Sequence, residues 1–206
     1  MPVRGGGAPV SGPRRLHAIA GLVPVGAFLA FHLYENAAAA SGPDVYNAVA
    51  LRLQRLPLAV GLEAILIVLP LAFHAVYGFY IAATVPADAG GRPPALAVLQ
   101  RLSGIFVFAF VFFHLWTTRL VQIRDHESLD LFRLVQTAMA NPWIRSFYAA
   151  GILAAAFHLA AGLWSFPETW GLALRPRQRV WVAVAASAIF VILSTWGLRS
   201  LAAFRL

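Results

Sequence analysis

QRLSGIFVFAFVFFHLWTTR, residues 100–119, decides how this chain folds. Between Arg101 and Arg119 it holds no charge, and its polar members are Ser103, His114, Thr117 and Thr118. An apolar run of about 18 residues or more is too long for an ordinary core helix and matches a hydrocarbon slab about 30 Å thick. Such a span must be a helix, because an open sheet would leave backbone amides unpaired in lipid. Working outward, comparable runs occupy about 16–38, 57–84, 143–166 and 180–198, and the quoted run extends to about 99–123. The expected fold is therefore an all-α integral membrane protein of five transmembrane helices, forming one domain over residues 1–206.

Composition agrees. Of 206 residues 60% are hydrophobic and 12% charged, about half the charged share of a soluble domain. The net charge of +8 comes from arginine alone, and the arginines flank the apolar runs. No basic stripe interleaved with exposed aromatics is present, so nucleic acid is not expected as a partner. The absence of cysteine excludes disulfides, iron–sulfur ligation within this chain and covalent c-type haem attachment.

Between the spans, residues 1–15 read as a loose Gly/Pro-rich basic tail and 46–55 as a short interfacial helix. Pro57 suits the first turn of the second span. ADAGGRPP (87–94) is turn chemistry, and 124–141 form a charged surface segment ending in Asn141-Pro142, an N-cap followed by a first-turn proline. A loop around Pro167, Pro176 and Arg175–Arg179 leads to the last span. The N-terminus has the outline of a signal peptide ending at ENAAAASG, but Pro24, His32 and Glu35 interrupt it, and it is read as the first span. With the N-terminus inside, eight arginines fall on each side, so charge does not orient the chain.

His32, His74, His114 and His158 stand one per span on the first four spans. A polar ring in lipid is costly, so each is expected to face the bundle interior and have a partner. Each lies past the midpoint of its span, and successive spans run antiparallel. His32 and His114 therefore share one level, and His74 and His158 another. Two His/His pairs at different depths suit two bis-histidine haems (two haem b), a first-four-helix haem bundle made for electron transfer across the membrane.

Other residues gather around this scheme. Eleven helical residues advance about 16 Å and return within about 20° of the same face. That step leads from His32 back to Gly21, and from His114 back to Ser103 beside Gly104. These small residues, with Gly78 and Gly162 four after a histidine, either leave room for haem or serve ordinary helix packing. The same step from His74 reaches Glu63, either a proton-carrying group at a quinone site beside His32/His114 or a structural carboxyl. Pro70 is expected to disturb the carbonyl of Leu66 and bend the second span. His17 at the membrane edge and His126 in the charged segment read as surface or propionate-contacting groups rather than ligands. Arg101 is either a haem-propionate contact or an interfacial anchor.

These residues lie in stretches that are similar to a known family: 16–47 (LHAIAGLVPVGAFLAFHLYENAAAASGPDVYN), 62–81 (LEAILIVLPLAFHAVYGFYI), 100–119, 148–171 (YAAGILAAAFHLAAGLWSFPETWG) and 193–201 (LSTWGLRSL). The chain resembles the five-helix, two-haem cytochrome b subunit of succinate dehydrogenases and fumarate reductases. The resemblance implies His32 and His114 on an outer haem, and His74 and His158 on an inner one. It further implies an N-terminus on the cytoplasmic side of a bacterial inner membrane. The implied partners are a flavoprotein and an iron–sulfur subunit, and the implied substrate is a quinone, commonly menaquinone. Some fumarate-reducing relatives place a carboxylate two residues before the fourth ligand. Here that residue is Ala156, which leans the reading towards succinate oxidation. A stand-alone transmembrane cytochrome b reductase and a non-redox transporter with structural histidines are the competing readings, though no broken-helix pair or internal repeat marks a transport site.

Overall fold

The computed structural model describes residues 12–54, 58–87, 93–124 and 130–205. Among these there is no strand, and five helices are long and apolar enough to cross a membrane. They are Gly12–Ser41, Val60–Thr84, Pro94–Ile123, Pro142–Thr169 and Pro176–Ala203, here the first to fifth spans. Two shorter helices, Pro43–Gln54 and Leu131–Met139, follow the first and third spans. The chain is an all-α multi-pass membrane protein. Pro57, Arg92 and His126 fall outside the described residues.

Two boundaries differ from expectation. The first helix begins at Gly12, so Arg14 and Arg15 belong to the span and not to a tail. That extra turn carries the Arg15 guanidinium to 5.5 Å from the centre of the Trp170 ring. The fourth span runs through Pro167 to Thr169. Gly171 (φ +70°) stops it in a Schellman turn, with Leu172 N–H donating to Pro167 O (2.9 Å) and Gly171 N–H to Glu168 O (3.1 Å). At the other end Asn141 caps the helix as expected, its Oδ1 accepting from Trp143 N–H at 2.9 Å.

Three spans contain a π-helical turn: Gly21–Val25, Ala64–Val68 and Leu115–Arg119. The first holds Pro24, which has no N–H to offer the carbonyl four residues earlier. The second holds Leu66, whose carbonyl Pro70 disturbs. The third has no proline. There Thr117 and Thr118 donate back to the carbonyls of Phe113 (2.9 Å) and His114 (2.5 Å), competing with the helix's own ladder.

The densest packing lies at the end of the bundle remote from Gly12. Ala39, Tyr46, Phe110, Leu131, Phe132, Met139, Tyr148, Leu201 and Phe204 form one buried cluster there. The two short helices close over it and are joined by polar contacts. Asn47 Nδ2 donates to Asp130 Oδ1 (2.9 Å), Phe132 N–H to Asn47 Oδ1 (3.0 Å), and Arg133 N–H to Asp130 Oδ1 (3.0 Å). The Arg133 amide and then the Asn47 side chain hold the Asp130 carboxyl below the usual carboxylate range. A depressed folded pKa gives stability that is complete above the unfolded value, about 3.9, and is lost as pH falls through the folded value. Asp130→Ala should therefore lower the thermal midpoint modestly at pH 7, by an amount that shrinks as the pH falls below the ordinary carboxylate range. Equal losses at pH 7 and below that range would refute the ionic part of this cap.

Candidate functional site

The four span histidines meet in two pairs. His32 and His114 have ring centres 5.7 Å apart, and His74 and His158 have theirs 6.0 Å apart. Two metal–imidazole bonds of about 2 Å each would separate ring centres by about 6 Å. Each pair thus has the spacing of two axial ligands on one iron. Among the described residues no group of three or more His, Cys, Asp or Glu side chains is arranged to cage a bare ion. Pairs suit iron already held by a porphyrin.

Which ring nitrogen faces the partner is fixed by what holds the other. His74 Nδ1 lies 3.0 Å from the carbonyl of His17. His158 Nδ1 lies 3.0 Å from the carbonyl of Gln100 and 3.1 Å from Ser103 Oγ. His114 Nδ1 lies 3.3 Å from Tyr148 Oη. At His74 and His158 the carbonyl partners require Nδ1–H to donate, which leaves Nε2 as the nitrogen free to bind a metal, the arrangement such partners impose on ligating histidines; between His114 and Tyr148 either group can donate. His32 is held more loosely. The Asn36 amide donates to the His32 carbonyl (2.8 Å) and stands 3.4 Å from both ring nitrogens, and Tyr46 Oη donates to Asn36 Oδ1 (3.1 Å). Phe28 stacks on His32 and Phe110 on His114, at centroid distances of 5.4 and 5.9 Å.

The small residues meet imidazole. A Cβ on Gly21 would stand 2.2 Å from His74 Cε1, and one on Gly104 would stand 2.8 Å from His158 Cε1. At Gly21 the neighbour is the His74 ring, and Ser103 Oγ lies 3.1 Å from Nδ1 of the opposite ring, His158. Gly78 makes room for His17, whose Nε2 lies 3.2 Å from where its Cβ would be.

His17 is placed differently from expectation. Its ring stacks on His74 at 4.1 Å and 7° instead of lying at the surface. The signal was legible in part, since His17 and Gly21 stand four apart on one helix face. The carbonyls of His17 and Gln100 carry no side-chain signature and were missed.

Arg101 is engaged with the neighbouring helix, as an interfacial anchor would be. Its guanidinium donates to Val85 O (2.5 Å) and Ala82 O (3.4 Å), capping the end of the second span, where unpaired carbonyls and the helix dipole attract a cation. Glu63 does not share the face of His74. The π turn Ala64–Val68 lies within the eleven-residue step and rotates Glu63 by roughly a quarter turn. Its carboxylate faces Arg119 of the third span, whose Nε donates to both oxygens at 2.9 and 3.1 Å and whose second amino group pairs with Oε2. Arg119 itself comes out of the third π turn.

Residues 94–194 match the family described as Succinate dehydrogenase/Fumarate reductase transmembrane subunit. A Bacillus subtilis (strain 168) protein, described as succinate dehydrogenase cytochrome b558 subunit, is 40% identical over 194 residues, spanning 93% of this chain and 95% of that one. No solved structure matches.

Proposed function

The chain belongs to the succinate dehydrogenase/fumarate reductase transmembrane subunit family, and from that premise we propose that it is the diheme cytochrome b anchor of a succinate:quinone oxidoreductase. The observation that carries this is the pairing of the four span histidines, at 5.7 and 6.0 Å between ring centres. In this reading His32 and His114 hold the haem nearer the outer face, and His74 and His158 hold the haem nearer the cytoplasm, where the N-terminus lies. Haem, when bound, supplies a one-electron iron couple. His32 with His114, and His74 with His158, would each hold one iron between two imidazoles and leave it no open site for oxygen. Hydrogen bonds at Nδ1 orient the rings, and Phe28 and Phe110 help to exclude water from the His32/His114 pair.

A flavoprotein and an iron–sulfur subunit would deliver electrons from succinate on the cytoplasmic side of a bacterial inner membrane. The electrons would leave to a quinone, menaquinone in this reading, beside the His32/His114 level. Glu63, with Arg119, is the proposed group for proton exchange there. Ala156 is fully buried against Leu33 and Leu193, so no carboxylate stands two residues before His158. This favours succinate oxidation over fumarate reduction.

The test is the purified complex. Extraction should yield two haem b per chain, and a redox titration should resolve two components. Succinate should reduce them when the soluble partners are present, and a menaquinone analogue should reoxidise them. A colourless preparation, a single haem, or full activity from the isolated chain would overturn the proposal.

A further inference from the structure

All four paired histidines have a polar partner at Nδ1, the loosest being the Asn36 amide 3.4 Å from His32, but the partners differ in kind. His74 and His158 both lean on backbone carbonyls, which cannot be substituted away. His114 leans on a side chain, the hydroxyl of Tyr148. Tyr148 is 9% exposed, and its ring packs edge-on against Phe110 at a centroid distance of 5.3 Å. The same hydroxyl lies 3.4 Å from Thr117 Oγ1, which donates to the carbonyl of Phe113 at 2.9 Å.

One arrangement of the protons satisfies every group along this chain. Thr117 Oγ1 gives its hydrogen to Phe113 O and so has lone pairs to accept with. Tyr148 gives its hydrogen to Thr117 Oγ1 and has lone pairs to accept with in turn. His114 Nδ1–H then donates to Tyr148 Oη, and Nε2 is the nitrogen left free. In this arrangement every group along the chain is satisfied, and both hydroxyl links point away from the imidazole. Hydroxyls in series polarise one another, so Thr117 makes Tyr148 a better acceptor. An acceptor at Nδ1–H makes the imidazole more basic and a stronger donor to a metal.

We infer that Tyr148 is a positioning residue that sets the electron-donating strength of His114, with Thr117 behind it, and so lowers the reduction potential of the centre held by His32 and His114. The inference rests on the two-haem reading above. It places adjustment of that centre in replaceable side chains, while each histidine of the His74/His158 centre has a main-chain carbonyl at Nδ1, with Ser103 Oγ also beside His158.

Tyr148→Phe keeps the ring and its aromatic contacts and removes the acceptor. In the purified complex, potentiometric titration followed by optical and electron paramagnetic resonance spectra should show two haems still bound. The component absent from a His32→Ala control should shift to higher potential, and the other should stay in place. Thr117→Val should move the same component the same way by a smaller amount, and it decides the matter if Tyr148→Phe does not assemble. Unmoved potentials in a two-haem variant, or equal shifts of both components, overturn the inference while leaving the two-haem reading intact. A wild-type complex without two haems refutes that reading instead.

Discussion

On the two-haem reading proposed above, replacing Gly21 with alanine should cost the complex one haem. The added methyl would lie 2.2 Å from Cε1, 2.5 Å from Nδ1 and 3.0 Å from Nε2 of His74, closer than carbon contacts allow. The ring has little room to yield. One face is stacked on His17 at 4.1 Å, and Nδ1 is tied to the His17 carbonyl at 3.0 Å. Relief must come from turning His74 away from His158 or from parting the first and second spans. Overpacking of this kind costs about 1–3 kcal/mol, a factor of roughly 5 to 150 in a binding equilibrium. A haem assay should therefore fall from two per chain towards one, and the remaining component should be the one that His32 variants lose. Gly12→Ala, with nothing within 4 Å of the new methyl, is the matched control and should keep both. Two haems in Gly21→Ala would show that the ring shifts freely.

Arg119→Met should weaken the bundle more than removal of both Arg119 and Glu63. The pair joins the third span to the second, with side chains 21% and 31% exposed. Removing one member leaves a carboxylate with no partner in a medium that solvates it poorly. Breaking a fully buried pair costs about 3–5 kcal/mol, and partial exposure reduces this to roughly 2 kcal/mol here. The double variant Glu63→Gln/Arg119→Met removes the stranded charge and should recover much of the loss. Unfolding in mixed micelles, read as a double-mutant cycle, measures the coupling. Strictly additive losses would mean that the pair holds nothing together. Glu63→Gln also bears on the proposed proton role, which unchanged quinone turnover would remove.

The spans and the meeting of the histidines were legible because both follow from simple periodicity. Length and hydropathy give the helices, and alternate direction puts His32 level with His114. What escaped came from breaks in that periodicity. Three π turns change the phase of their helices, and only two were foreshadowed by a proline. The third depends on Thr117 and Thr118 bonding back to carbonyls, which a hydropathy profile does not register. Glu63 therefore lay off its expected face, and Arg119, read merely as a flanking charge, became its partner. Arg101 shows another limit. A guanidinium at a span edge has several possible acceptors, and only the fold reveals that the nearest are carbonyls of the neighbouring helix. Main-chain acceptors such as His17 O have no residue type to announce them.

The second span has no buried residue along its described length. Its hydropathy lets it enter lipid, yet it finds no greasy socket among its neighbours. Its named attachments are the hydrogen bond at His74, the ion pair at Glu63 and the Arg101 cap on its final carbonyls. Few polar links, more than burial, thus tie this helix to the bundle, and a metal group bridging His74 to His158 would add a rivet between it and the fourth span.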